Sequence, residues 1–303
     1  MWRGVAARWN PTVDPVTPGI GSLLVAVGPS DFSRWSYAGM EWFDSTLSGV
    51  TKIMRALACA SNGLFMAVGD DGYGVTTTDG VTWTGVGAPV LVTTRLNGLA
   101  TFSTQSFYAC GETGDPYGKA ALAFTSDGGS NWSEFDSGTA LSASLNAIAV
   151  NEALQVWQAV GPSGPSPIGI VIGANGGEAD DAILRATSGI PESESLGAIV
   201  ASGDGFLVGG TGNIYRTADG DHYAPWTAMA IPADVTGAVT GIAASGDLLW
   251  ASVDGQGILA SADAGATWSW ALQIPLPFNA AAGAGSAGLL CGASGIIFES
   301  RKG

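Results

Sequence analysis

The sequence predicts an all-β protein, a seven-bladed β-propeller of four-stranded blades, on three observations. A phrase of the form Ser/Thr-x-Asp-x-Gly-x-x-Trp recurs along the chain, and short apolar segments recur ahead of each copy. The interval from the aromatic residue to the next apolar segment stays nearly constant. Self-similarity at a period of about 20–50 residues marks solenoids, propellers and arrays. Four short strands per unit select the propeller among them.

The cleanest copies are Thr125-Ser-Asp127-Gly-Gly-Ser-Asn-Trp132 and Ser261-Ala-Asp263-Ala-Gly-Ala-Thr-Trp268. Thr77-Thr-Asp79-Gly-Val-Thr-Trp83 and Thr217-Ala-Asp219-Gly-Asp-His-Tyr223 are one residue shorter between Asp and aromatic ring. First strands are read at Leu57-Ala-Cys, Leu99-Ala-Thr, Ile148-Ala-Val, Ile199-Val-Ala, Ile242-Ala-Ala and Ala281-Ala-Gly. Second strands follow at Leu64–Gly69, Phe107–Gly111, Val156–Gly161, Phe206–Gly209, Leu249–Ser252 and Leu289–Gly292. Third strands are read at Ala121–Thr125, Ile183–Thr187, Ile214–Thr217, Gly257–Ala260 and Ile296–Phe298. Short β-rich runs bounded by Gly and Asp are strand signals. Trp83, Trp132 and Trp226 each precede the next first strand by 16 residues. A degenerate first copy, Ser36-Tyr-Ala-Gly-Met-Glu-Trp42, lacks the Asp, so six or eight blades fit the pattern as well. The last copy reaches Arg301 without a fourth strand. Residues 1–10, with Trp2, are therefore expected to supply that outer strand and close the ring of a single domain, 1–303.

Composition supports a folded, turn-rich chain. Glycine is 46 of 303 residues, about twice average usage, beside 46% hydrophobic residues. Charged residues are only 12%, about half the usual share, so the surface is largely Ser, Thr, Asn, Gly and backbone. A net charge of −15 speaks against a nucleic-acid backbone or an anionic lipid surface as partner. Cys59, Cys110 and Cys291 lack metal-ligand spacing and read as small core residues, without disulfides. The start, Met1-Trp-Arg3-Gly-Val-Ala-Ala-Arg8, breaks before signal-peptide length, and Pro275 and Pro277 interrupt the uncharged stretch Ala264–Phe298. A soluble protein without membrane insertion is expected.

The recurring phrases resemble Asp-boxes, the repeat of bacterial neuraminidases, over nearly the whole chain. The resemblance implies a structural role on the face opposite the binding site. Asp79, Asp127, Asp219 and Asp263 would cap turn amides, and Trp83, Trp132 and Trp268 would pack between blades. The sialidase machinery of that family is incomplete here, because no Arg-Ile-Pro motif occurs and Arg185 and Arg216 fall in third strands. Glycosidases need two carboxylates at a set separation, whereas acidic residues here sit mainly in turns. The lone His222 has no base–orienter context. Asp70-Asp71-Gly72 and Asp180-Asp181 follow no calcium-loop pattern, so neither metal nor cofactor is expected.

Function is then expected on the loops between second and third strands and between blades, which share one face. Arg55, Tyr73, Arg95, Asp115, Tyr117 and Lys119 are the candidate binding residues there, the last three in the insertion Glu112–Lys119. A second insertion is read at 162–181. The style of the repeats resembles propellers of bacteriophage tails and fibres. That resemblance implies a non-enzymatic virion protein, assembled in the host bacterial cytoplasm, with other tail proteins and a cell-surface glycan as partners. A scaffold like the photosystem assembly factors, which share the repeat, is one alternative. A glycoside hydrolase of sialidase type is the other.

Overall fold

The computed structural model describes residues 3–8, 23–28, 32–37, 41–46, 52–86, 95–113, 120–134, 144–161, 170–174, 183–184, 188–217, 224–284, 287–292 and 297–301. The first sheet holds β1 (Gly4–Arg8), β2 (Leu23–Val27), β3 (Phe32–Tyr37) and β4 (Phe43–Thr46). The second holds β5 (Met54–Cys59), β6 (Phe65–Gly69), β7 (Gly74–Thr77) and β8 (Thr84–Val86). The third is β9 (Leu96–Thr101), β10 (Phe107–Thr113), β11 (Ala120–Thr125) and β12 (Ser133–Glu134). The fourth is β13 (Ala147–Asn151), β14 (Val156–Val160), β15 (Ile170–Ala174) and β16 (Ile183–Leu184). β17 (Ala198–Ser202), β18 (Gly205–Gly209), β19 (Ile214–Thr217) and β20 (Thr227–Ala228) follow. After them come β21 (Val239–Ser245), β22 (Leu248–Val253), β23 (Gly257–Ser261) and β24 (Ser269–Gln273). The last sheet is β25 (Phe278–Ala284), β26 (Ala287–Gly292) and β27 (Ile297–Arg301). All pairing within the sheets is antiparallel and sequential. The leading strands β1, β5, β9, β13, β17, β21 and β25 stand side by side in order, and β25 returns against β1. Radial sheets around a channel are the propeller arrangement.

The amino terminus does not close the last sheet. Residues 1–10, expected as its outer strand, instead place β1 innermost in the first sheet, paired with β2 from Gly4↔Val27 to Arg8↔Leu23. The reason is steric. Arg3-Gly4-Val5-Ala6 repeats the pattern of Arg55-Ala56-Leu57-Ala58, with a small residue where inner strands meet. A Cβ on Gly4 would lie 3.0 Å from the Leu57 amide nitrogen of the neighbouring inner strand, so a small residue fits that place. The last sheet keeps three strands among the described residues. A second correction falls in the fourth sheet, where the third strand is β15 and the Ile183 segment pairs outside it as β16. The β-branched run Ile170-Val-Ile172 takes the inner place because it pairs along its whole length with β14.

The core lies in the seams between sheets. One buried cluster joins Val25 and Val27 to Met54, Phe65 and Val75; another joins Met66 and Val68 to Leu96 and Phe107. Tyr108 and Leu122 meet Leu145 and Trp157, with the Tyr108 and Trp157 rings 6.0 Å apart. Val160 meets Leu196 and Phe206, and Leu207 meets Val239 and Leu249. Trp250 meets Phe278, and Val5 and Leu24 meet Ala280. Each sheet therefore buries both faces against its neighbours.

Turns between third and fourth strands are built alike. Thr77, Thr125 and Ser261 donate their hydroxyls to the Oδ1 atoms of Asp79, Asp127 and Asp263 at 2.9, 2.9 and 2.7 Å. The same hydroxyl oxygens accept the amides of Gly80, Gly129 and Gly265 at 3.0, 3.0 and 2.9 Å. The carboxylates accept further amides, from Val81 and Thr82 at 2.8 Å, and from Asn131 and Thr267 at 2.9 Å. Gly80 (φ 74°), Gly129 (φ 95°) and Gly265 (φ 90°) occupy the left-handed region, which favours glycine. A Cβ there would also meet the preceding sheet, at Trp35 Cβ (2.9 Å), Met66 Cε (2.8 Å) and Leu207 Cδ2 (2.8 Å) respectively. Trp83 and Trp268 are buried and Trp132 is half-buried, each against a seam cluster. Asp219 and His222 lie outside the described residues.

Glycine at the end of the second strand has a different cause. A Cβ on Gly69, Gly111 or Gly161 would run into the carbonyl oxygen of Ile53, Arg95 or Ser144, ahead of the inner strand of the same sheet. Gly69→Ala is expected to lower stability by about 1–3 kcal/mol through overpacking, read as a lower urea midpoint at unchanged m-value.

The turn carboxylates make stability depend on acid. Donation from the Thr267 hydroxyl, then the Thr267 amide and Ser261, holds Asp263 down at about 2. Asp127 is lowered chiefly by the Asn131 amide and side chain. Burial pushes Asp79 upward, but the Thr82 and Val81 amides and the Thr77 hydroxyl outweigh it and leave it lowered. A carboxylate depressed in the folded state stabilises fully above its unfolded value, and the contribution disappears as pH falls through the folded value. The melting temperature should therefore fall between roughly pH 4 and pH 2, and Asp263→Asn should flatten that decline. Parallel profiles for both proteins would refute the assignment.

Candidate functional site

The first residues of the inner-strand repeats are Arg3, Arg55, Asn97, Asn146, Gly197, Thr240 and Asn279, and the last five of them line the channel. In β5, β9, β21 and β25 the pairing register slips at this position. Arg55, Asn97, Thr240 and Asn279 are the extra residues, between Met54 and Ala56, Leu96 and Gly98, Val239 and Gly241, and Phe278 and Ala280. A β-bulge re-aims the side chain of its extra residue. The residues just before the ring position, Met54, Leu96, Leu145, Leu196, Val239 and Phe278, are all 0–1% exposed and pin the strands in the core.

Three ring residues clasp the neighbouring sheet. Asn97 Nδ2 donates to the Leu145 carbonyl at 3.1 Å, Asn146 Nδ2 to Leu196 at 2.9 Å, and Thr240 Oγ1 to Phe278 at 2.7 Å. Each acceptor immediately precedes the next ring residue or its equivalent. Gly197 has no side chain to reach across, although a Cβ there would lie 3.1 Å from the Val239 carbonyl oxygen. That seam is closed by backbone instead, through the Thr211↔Ala238 bridge and donation from the Val239 amide to the Gly210 carbonyl at 2.9 Å.

On the side of the first three sheets the ring turns basic. Arg55 Nε donates to Asp70 Oδ1 at 2.5 Å, with side chains 15% and 21% exposed. Arg95 Nε lies 3.6 Å from the same oxygen, and Arg95 Nη1 lies 3.3 Å from Glu112 Oε1. Lys52 pairs with Asp71, whose left-handed backbone (φ 56°) turns the Asp70–Gly72 segment back over the cluster. Burial, then repulsion from Arg55, with Arg95 adding to it against the pull of Asp70, lowers the Arg3 guanidinium from its usual range. Arginine remains charged nonetheless. The channel, about 160 Å3, is lined by the ring residues Asn97, Asn146, Gly197, Thr240 and Asn279 and by an aliphatic layer that includes Leu99, Ile148, Ile199 and Ile242; on the arginine side Val5, Ala56 and Leu57 line it.

Of the residues named from sequence, Arg55 and Arg95 are brought together here. Tyr73 is not with them: it packs against the core between the first two sheets, its hydroxyl facing Gly85. Asp115, Tyr117 and Lys119 lie outside the described residues, as does most of 162–181. Arg3 and Asp70 complete the cluster and were missed as site residues. The likeness of Arg3-Gly-Val-Ala to Arg55-Ala-Leu-Ala was the signal for Arg3, hidden by the reading of residues 1–10 as an outer strand. A Tyr–Glu pair does exist, with Tyr215 donating to Glu194 Oε2 at 3.1 Å. Both residues are buried, at 3% and 6% exposure, and they sit with the fifth sheet rather than with the arginines. Burial first, then Glu194, raises the Tyr215 phenol well above its usual range. Among the described residues no group of three or more His, Cys, Asp or Glu gathers to hold a metal ion, and no helix is long and apolar enough to cross a membrane.

No protein-family model matches the chain, and no curated protein sequence does. Solved structures do. YCF48 from Cyanidioschyzon merolae is 14% identical with a TM-score of 0.69, over 99% of this chain and 95% of that one. YCF48 bound to D1 peptide is 17% identical with a TM-score of 0.69, over 93% and 88%. Virginiamycin B lyase from Staphylococcus aureus is 11% identical with a TM-score of 0.73, over 99% and 94%. The WD40 beta propeller domain of Doa1 is 12% identical with a TM-score of 0.71, over 99% and 93%. The chain is a β-propeller. At these identities the likeness carries the fold alone, so the lyase brings no chemistry with it.

Asp70 is the hinge of the basic cluster. Asp70→Asn should destabilise the propeller by about 1–3 kcal/mol, because Arg55 loses its charged partner in a poorly solvated place. Adding Arg55→Met should recover part of that loss in urea unfolding.

Proposed function

We propose that the protein is a non-catalytic propeller scaffold that holds a polypeptide partner on its loop face, in the manner of an assembly factor. The observation that carries this reading is the cluster of cations at the channel mouth, four against the three carboxylates Asp70, Asp71 and Glu112 among the described residues. Arg3, Lys52, Arg55 and Arg95 are four of the eleven Lys and Arg residues in a chain of net charge −15. Such a patch on an acidic protein steers an acidic or carboxylate-bearing segment to one place. A propeller of the same fold, YCF48, is known bound to a D1 peptide, which supports a polypeptide as the class of partner. The photosystem-assembly-factor reading is therefore favoured over the virion and sialidase readings, for which the sequence phrases are the whole support.

The finer account of the fold goes with this proposal. We read the ring as seven-bladed, supported by the succession of inner strands from β1 to β25 and back. We read the Ser/Thr-x-Asp turns as Asp-boxes, supported by their shared hydroxyl–carboxylate–amide bonding. They would face away from the partner.

The test is binding of fluorescein-labelled acidic peptides to the whole chain, followed by anisotropy at rising salt. Affinity should fall as salt rises, and Lys52→Glu with Arg95→Glu should weaken it about tenfold or more, whereas Arg34→Gln should not. Arg34 pairs with Asp44 on the outer strands of the first sheet, away from the mouth. Equal binding by all three proteins would sink the proposal.

A further inference from the structure

At the channel mouth one guanidinium is left over. Asp70 takes both Arg55 and Arg95, Glu112 takes Arg95, and Lys52 and Asp71 satisfy each other. Among the described residues three arginines thus face two carboxylates, and Arg3, drawn to Asp70 without touching it, is the one that bonds to neither. Its backbone amide is bonded to the Val27 carbonyl at 3.0 Å, but its side chain makes no hydrogen bond or ion pair to any described residue. Arg3 is only partly exposed, so water replaces a partner incompletely. Two residues further along β1, Val5 lines the channel, beside Leu57 and within the aliphatic layer below the rim.

We infer that Arg3 is the anchor of a carboxylate subsite whose ligand carries one negative charge on a short aliphatic group. The carboxylate takes the guanidinium in the fork geometry that arginine offers, and the aliphatic group enters the channel mouth. One unmatched cation calls for a monoanion; a phosphate dianion would leave the cluster overcharged. The channel volume of about 160 Å3 admits one branched aliphatic group and no large ring system. Asn97, Asn146 and Thr240 spend their donors on neighbouring carbonyls, so charge recognition falls to the arginine side of the ring. This inference rests on the reading of the loop face as a binding surface. It adds that the part of the ligand held is a free acid, whether a small molecule or the end of a polypeptide.

The guanidinium nitrogens of Arg3, assigned by loss of their signals in Arg3→Lys, report the contact directly in nitrogen-15 NMR of the whole chain. Titration with 4-methylpentanoate should shift the Arg3 resonance saturably, and 4-methylpentanamide should not. Inorganic phosphate should compete weakly. Arg3→Gln should weaken the acid at least about tenfold, the loss expected for a charge-assisted bond, while Arg34→Gln leaves it unchanged. The peptide Ala-Ala-Ala-Leu, with a free or an amidated carboxyl group, separates the two sources: tighter binding of the free form than of 4-methylpentanoate indicates a polypeptide end. Equal shifts by acid and amide, or none at saturating concentration, would overturn the subsite. Should acidic peptides bind through Lys52 and Arg95 while Arg3 ignores carboxylates, the scaffold reading stands and the subsite falls. Should the acid bind Arg3 while no peptide binds the face, the reverse holds.

Discussion

Every sheet in this protein is too small to exist alone, and everything else follows from that. Three or four described strands of two to seven residues offer two apolar faces and no core of their own. Stability comes only when each face meets the next sheet, so the seams are the core. The closest approach is at the inner strands, where Gly4, Ala56, Gly98, Ala147, Ala198, Gly241 and Ala280 occupy equivalent places. A Cβ on Gly98 would lie 2.9 Å from the Ala147 Cα, and one on Gly241 would lie 2.9 Å from the Ala281 amide nitrogen. Small residues at that level are therefore a condition of closing the ring, and a ring that fails to close exposes a seam.

The same crowding makes the site. A tightly packed inner strand cannot present side chains freely to the channel, but a bulge at its first residue releases one. The buried residue before it fixes the bulge in place, as Met54 does for Arg55 and Leu96 for Asn97. The fold thus supplies re-aimed positions at Arg55, Asn97, Thr240 and Asn279. Where the ring carries Asn or Thr, the side chain bridges to the neighbouring sheet and adds to stability. Where it carries Arg55, the side chain turns to Asp70 in the adjoining turn, and the position becomes chemistry rather than architecture. Binding and stability are alternative uses of one geometry.

That duality explains what could be read from the sequence. The strands were legible because short apolar runs and Asp turns repeat at nearly fixed spacing, a signal that depends on local steric needs. Turn residues such as Asp127 and Gly129 follow the same local logic: a carboxylate two residues from a hydroxyl, then a glycine with positive φ. The place of β1 was obscured because Trp2 imitates the aromatic that closes an Asp turn and outweighs the likeness of Arg3-Gly-Val-Ala to the inner-strand start Arg55-Ala-Leu-Ala. The exchange of β15 and β16 had the same origin: two β-rich runs compete for one place, and length of pairing decides. Arg55 and Arg95 could be placed at the mouth from their position just ahead of first strands. Their partner Asp70 could not, since it is 15 residues away from Arg55 and meets it only when β5 and β6 pair.

Charge completes the argument. In a chain of net charge −15 a lone arginine is easily neutralised, and four described cations are: Arg34 by Asp44, Lys52 by Asp71, Arg55 by Asp70 and Arg95 by Glu112. Against that background an arginine near two others, with no carboxylate in contact among the described residues, stands out more than it would in a basic protein. Closure of the ring forces this. Once β1 takes the innermost place beside β5, the ring positions of the two strands, Arg3 and Arg55, must be neighbours, and Arg95 follows from the next sheet. The folded state brings like charges together because packing of the inner strands outweighs their screened repulsion near the surface. A ligand carboxylate relieves that repulsion, so binding at the mouth and stability of the ring are thermodynamically coupled, and the anion that binds there also tightens the seam between the first two sheets.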